Sequence, residues 1–110
     1  MEKKKQRRLE AQGWRIGSAA EFLGLSAEEA VLVEMKLALS QALKARRTAS
    51  HVSQVTLAKR LGSSQSRVAK MEAGDGSVST DLLLKALLVL GATPREVAKA
   101  LQARRSKVAA

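Results

Sequence analysis

The sequence predicts an all-α domain, and three observations carry that reading. Ser26 with Glu29, and Thr93 with Glu96, each form a capping signal that opens a run of apolar residues at helical separations. Between them the segment Gln54 to Gly74, QVTLAKRLGSSQSRVAKMEAG, sets two short apolar patterns on either side of Gly62. Trp14 and Phe22 are the only aromatic residues, so a core must be built from Leu, Val, Ala and Met, a composition that favours helix over sheet.

Taken in order, residues 1–25 read as a basic flexible arm followed by a segment of small residues with a few apolar anchors. The first helix should run from about Ala27 to Arg47, on the apolar pattern Val31, Leu32, Met35, Leu39 and Leu43. Two helices of about two turns follow, the first carrying Leu57, Ala58 and Leu61, the second Val68 and Met71. Ala58 is small where two steeply crossed helices must approach, and Gly62 has no side chain where a tight turn can require positive φ. After a polar loop over 75–79, Ser79 or Thr80 caps a fourth helix that bears Leu82, Leu83, Leu84, Leu87, Leu88 and Leu90 and stops at Gly91. It is the most apolar helix and should centre the core. The fifth begins with Pro94 at the first helical position, shows the stripe Val97, Ala100 and Leu101, and is expected to end near Arg104. The domain is therefore placed at 26–105, with 106–110 as a C-terminal tail.

A chain of 110 residues with 45% apolar content makes one modest domain with a single core. It has no cysteine, which rules out disulfides and thiolate metal sites. There is no run of about 18 apolar residues for a membrane span and no secretory apolar segment behind the charged start, so a soluble cytoplasmic protein is expected. The formal charge of +10 is concentrated at Lys3, Lys4, Lys5, Arg7 and Arg8, at Lys44, Arg46 and Arg47, and at Arg104, Arg105 and Lys107. Such clusters suit a polyanion, since each cation set against phosphate releases counterions. For the arm the plain alternative is a solvated tail, and for Lys44, Arg46 and Arg47 it is complementing the carbonyl end of their own helix.

Packing Val68 and Met71 inward leaves Gln65, Ser66, Arg67 and Lys70 on the outer faces of the second short helix, as donors and acceptors able to meet base edges. A glutamine amide matches the exposed edge of adenine, while Arg67 and Lys70 can donate to guanine or to phosphate. The segment resembles the lambda-repressor-like, Xre-type helix-turn-helix family, in the pattern formed by Gln54, Leu57, Ala58, Gly62, Ser64, Gln65, Val68, Glu72 and Gly74. The resemblance implies a compact five-helix lambda-repressor-like domain with its third helix in the major groove, acting as a two-fold dimer on a palindromic operator. It implies base or nearby contacts for Ser64, Gln65, Ser66 and Lys70, and a phosphate contact for Gln54. Arg67, Arg46 and Arg47 join Gln54 as expected backbone contacts. Two positions depart from the family pattern. Ser63 stands where the turn usually buries Val or Ile, and His51 stands where glycine often closes the first loop, which would demand a left-handed backbone.

No catalytic or metal set is expected, and no cofactor. His51 is the only histidine, Glu72 reads as a capping or ion-pairing residue, and Gly74, Asp75 and Gly76 lack the lysine or alternating carboxylates of a phosphate or calcium loop. A homodimer with its interface on the fifth helix and the exposed parts of the fourth is expected from the short reach of one recognition helix, the plain alternative being a monomer whose last helix only seals the core. The lead-in FLGLSAEEAVLVEMKLALSQALK resembles N-terminal regions of HigA-type Xre antitoxins, which pair with small RNase toxins and repress their own operons. That resemblance implies a toxin-facing segment including Trp14, Ile16, Phe22 and Leu23. A phage repressor or a restriction-modification controller would share the domain. A bridging coactivator, joining transcription proteins through the same fold, is the reading from a different class.

Overall fold

The computed structural model describes Gly24 and residues 26–109, with residues 104–109 described by their backbone course only. The expected arm with Lys3, Lys4, Lys5, Arg7 and Arg8, the anchors Trp14, Ile16, Phe22 and Leu23, and the side chains of Arg104, Arg105 and Lys107 lie outside the described residues.

Five helices follow one another, and no strand occurs among the described residues: α1 Ala27–Ala49, α2 Gln54–Leu61, α3 Gln65–Glu72, α4 Thr80–Val89 and α5 Pro94–Ala109. Their starts are set by hydroxyl caps. The Ser26 hydroxyl accepts from the Glu29 N–H at 3.1 Å while the Glu29 carboxylate accepts from the Ser26 N–H at 2.8 Å, so both halves of the box are formed. At α2 and α3 only the serine half is formed, the Ser53 hydroxyl accepting from the Thr56 N–H and that of Ser64 from the Arg67 N–H, and Ser79 rather than Thr80 caps α4, accepting from the Leu82 N–H at 3.1 Å. At α5 the box closes between Thr93 and Glu96 at 3.0 and 3.2 Å.

The helix ends share one device. Behind α1, the Val52 N–H donates to the Arg47 carbonyl at 3.1 Å and the His51 N–H to Thr48 at 3.1 Å, a Schellman closure that puts His51 in the left-handed region at φ 57°. His51 is the only described non-glycine residue with positive φ. The same closure behind α2 uses Gly62 at φ 66° and sends the chain into α3 after two residues, Ser63 and Ser64. Gly74 is required by its φ of 77°, and a Cβ there would also meet Leu37 Cδ2 at 2.8 Å, so that side chain would have to shift.

The core lies where the second half of α1, through Leu39 and Leu43, meets Leu57 and Ala58 of α2, Val68 and Met71 of α3, and Leu83, Ala86 and Leu87 of α4. Val78 from the polar loop and Ala92 before α5 close it, and Val97 and Leu101 pack from α5. Burying this many aliphatic side chains, at about 25 cal/mol per Å² of apolar surface, is what holds five short elements together. α5 runs on to Ala109, past the end near Arg104 expected from the sequence. The reason is visible in ALQARRSKVA, which contains neither glycine nor proline to stop a helix of good formers.

Candidate nucleic-acid interface

The corner between α2 and α3 determines which side chains face outward. Val68 and Met71 are fully buried, and this fixes the rotation of α3 so that Gln65, Ser66, Arg67 and Lys70 are all exposed. Ser64, also exposed, accepts from the Arg67 N–H at 3.2 Å and lies 3.2 Å from the Ser66 hydroxyl, so its oxygen holds the helix start. Ser63 is half-buried, where the family usually places a larger apolar residue, and its N–H still closes the turn onto Ala58 at 2.8 Å.

Behind this row runs a chain of polar bonds. Glu72, with its side chain 3% exposed, accepts from Arg47 Nε at 2.5 Å and Nη2 at 3.0 Å, and Arg47 Nη1 also donates to the Val52 carbonyl at 2.8 Å. Gln54 Nε2 donates to Glu72 Oε1 at 3.0 Å, and Gln65 Nε2 donates in turn to Gln54 Oε1 at 2.6 Å. Burial would raise the Glu72 pKa, but the hydrogen bonds from Arg47 and Gln54, with the charges of Arg47 and Lys44, outweigh it and hold the carboxyl below its ordinary value. The hydrogen bonds to Glu72 raise the Arg47 pKa in the same exchange, against the opposing cost of burial. An ionised carboxylate only accepts, so Gln54 must turn its NH₂ toward Glu72 and its oxygen toward Gln65. Gln65 must then give up one N–H, keeping its oxygen and its second N–H.

The site residues expected from sequence therefore fall into three sets. Ser64, Gln65, Ser66, Arg67 and Lys70 share the outer side of α3 and its cap. Gln54, half-buried at the first position of α2, connects that row to the interior. Arg46 and Arg47 are engaged elsewhere within the fold: Arg46 Nε donates to the Leu90 carbonyl at 3.0 Å and Nη1 to Glu96 at 3.1 Å, tying α1 to the turn before α5 and to α5 itself. Arg47 is bound to Glu72 and Arg46 to Leu90 and Glu96, so either arginine would have to leave these partners to meet a phosphate. Sequence reasoning had both glutamines and Glu72 in one pattern but missed that they touch. Of the two roles expected for Glu72, capping or ion pairing, it has the second.

Near the far end of α3, Asp75 accepts from the Ser77 N–H at 2.8 Å and from its hydroxyl at 2.6 Å, which depresses the Asp75 pKa, and Lys36 donates to the Gly76 carbonyl at 3.3 Å. This is a turn held by an aspartate side chain. Among the described residues no group of three or more His, Cys, Asp or Glu could hold a metal ion, and no helix is long and apolar enough to cross a membrane.

No curated protein and no solved structure matches the chain. A family model described as helix-turn-helix matches residues 43–97, half of the sequence, from the last turns of α1 to the first turn of α5. With the corner, the capped α3 and its exposed polar row inside those limits, the chain belongs to the Xre, lambda-repressor-like helix-turn-helix family of DNA-binding transcription regulators.

Proposed function

We propose that the protein is an operator-binding repressor that reads a palindrome as a homodimer, laying α3 in the major groove with Gln65 as its principal base-reading side chain. The observation that carries this is the state of the Gln65 amide. One N–H is held by Gln54, and what remains is one acceptor beside one donor, the complement of adenine N6–H and N7. Ser64, Ser66 and Lys70 flank it as further base-side contacts, and Arg67, with the second amide N–H of Gln54, faces the strands. The excess of positive charge supplies affinity that is independent of base sequence.

A dimer fits because a helix as short as α3 spans only a few base pairs, and a two-fold pair reaches two half-sites about 34 Å apart. Leu88, 53% exposed on α4, is an apolar side chain available to such an interface beside α5. The regulator's place is as the antitoxin of an operon that also encodes a small RNase toxin, a reading supported by the resemblance of residues 22–44, FLGLSAEEAVLVEMKLALSQALK, to such antitoxins. Selection from random duplexes at physiological salt tests the proposal. An inverted repeat with half-sites about 10 base pairs apart, centre to centre, is expected. A pool that stays random after selection defeats it and leaves the fold as a protein-joining module of the coactivator kind.

A further inference from the structure

The side chains that set the Gln65 amide come from three helices. Arg47 lies in the last turn of α1, Gln54 is the first residue of α2, and Gln65 and Glu72 are the first and last residues of α3. Each glutamine has a donor end and an acceptor end, so a direction chosen at the inner terminus of this chain passes to the outer one. At the inner terminus there is no freedom. The Glu72 side chain is 3% exposed, its Oε2 accepts from Arg47 Nε, and its Oε1 accepts from both Arg47 Nη2 and Gln54 Nε2. With its pKa held down the carboxyl is ionised and carries no proton that it could offer to Gln54.

We infer that Glu72, buried away from the bases, is a positioning residue for base choice, and that its carboxylate makes α3 take adenine and refuse guanine at the base pair read by Gln65. This rests on the operator reading and names what controls specificity at the same site. With Gln54 Oε1 turned toward it, Gln65 presents its own oxygen and one N–H outward. Adenine offers N6–H and N7, a donor and an acceptor, and both are met. Guanine offers O6 and N7, two acceptors, which leaves the Gln65 oxygen against O6.

Turning the Gln65 amide over would suit guanine but would set its oxygen against Gln54 Oε1, two acceptors across a gap that a hydrogen bond now spans at 2.6 Å. Gln54 can relieve that contact only by turning its own oxygen inward, onto the Glu72 carboxylate. There the penalty falls in a buried setting, where an unpaired contact between acceptors is most costly. The refusal of guanine is thus transmitted from the interior through two amides.

Titrations of the full chain on operator duplexes with A·T or G·C at the pair affected by Gln65→Ala test this. The wild type should prefer adenine by about 5- to 150-fold, the discrimination of one bidentate pair. In Arg47→Met/Glu72→Gln, whose new amide can donate or accept, both glutamines are free to turn over, and the ratio should fall close to one while helical circular dichroism is retained. Ratios at the other operator positions should hold, whereas a loosened domain would lower them all. Arg47→Met/Glu72→Leu, which removes the acceptor and leaves no polar group in its place, should lose the adenine preference in the same way and carries the test if a glutamine at 72 prevents folding. An adenine preference kept at full strength in a folded variant overturns the inference and gives the direction to the phosphates or to the glutamines themselves. Wild type that binds the two duplexes equally, while Gln65→Ala still costs the operator more than random DNA, overturns it as well and leaves the operator reading standing. Equal losses for Gln65→Ala on operator and random DNA defeat the operator reading itself, and the role of Glu72 with it.

Discussion

Gln65 Nε2 donates to Gln54 Oε1 at 2.6 Å, joining the first residue of the exposed helix to the first residue of the helix behind it. The direction of this bond is imposed from the interior by the Glu72 carboxylate, which accepts only and so sets the Gln54 amide. Gln65→Ala should cost about 1–3 kcal/mol on the selected operator and little on random DNA. Paired titrations of the variant on the two duplexes provide the check, and equal losses on both would remove Gln65 from base reading.

Breaking the interior of the chain should act differently from truncating its tip. Removing either partner of the Arg47–Glu72 pair alone leaves a buried charge, at a cost of about 3–5 kcal/mol in stability. Replacing both with apolar residues of similar volume, Arg47→Met with Glu72→Leu, should restore most of that stability, because the desolvation cost disappears with the pair. The double variant has nevertheless lost the group that orients Gln54. Denaturant midpoints near wild type together with reduced discrimination between operator and random DNA are expected. Full discrimination would mean that the amides orient themselves.

Much of this architecture was legible because it is local. Ser26 with Glu29, Thr93 with Glu96, and Gly62 between two apolar rhythms are signals confined to a few residues, and each marks a real boundary. The rotation of α3 was legible too, since Val68 and Met71 leave Gln65, Ser66, Arg67 and Lys70 no other side. The polar chain was not. Arg47 and Glu72 are 25 residues apart, and the basic last turn of α1 gave no means of separating a dipole role or a phosphate contact from an ion pair. Arg46 illustrates the same limit, because its carbonyl partner at Leu90 has no signature in sequence. The end of α5 was misplaced because no stop residue marks it.

Acid should weaken the fold by a route whose sign is fixed. Glu72, Glu96, Glu29 and Asp75 all have pKa values below their ordinary ones in the folded chain. Such groups stabilise fully above the unfolded value. As pH falls below about 4.3 for glutamate, the unfolded chain gains protons the folded one refuses, and the contribution is gone once the folded pKa is passed. Urea midpoints should therefore be level from about pH 7 to 5 and drop below about 4.3. Glu72→Gln, which alters the buried member of the set, should be less stable at neutral pH and should show a shallower acid slope.

His51 offers a stabilising change. Its left-handed backbone closes α1 in the position that glycine fills behind α2, α3 and α4, at Gly62, Gly74 and Gly91. A residue with a Cβ is about 1–2 kcal/mol worse there than glycine, while glycine returns roughly 0.4–1 kcal/mol of that through the extra freedom of the unfolded chain. His51→Gly should therefore gain between roughly nothing and about 1.5 kcal/mol, raising Tm by up to several degrees in a domain of this size. The side chain is exposed and the network is carried by the backbone, so the helix content should not change.

Gly74→Ala tests the same geometry in the opposite direction and adds a collision. At φ 77° alanine meets the left-handed cost of about 1–2 kcal/mol, and its methyl would sit 2.8 Å from Leu37 Cδ2, so the leucine must also move. Leu37 is only half-buried, which lets it yield, so the collision should add less than the backbone does. Combining Gly74→Ala with Leu37→Ala separates the two. If the backbone dominates, the double variant keeps most of the Gly74→Ala loss beyond what Leu37→Ala costs alone. A double variant no worse than Leu37→Ala by itself would show that the contact, and not the turn, demands glycine where α3 hands the chain to the loop.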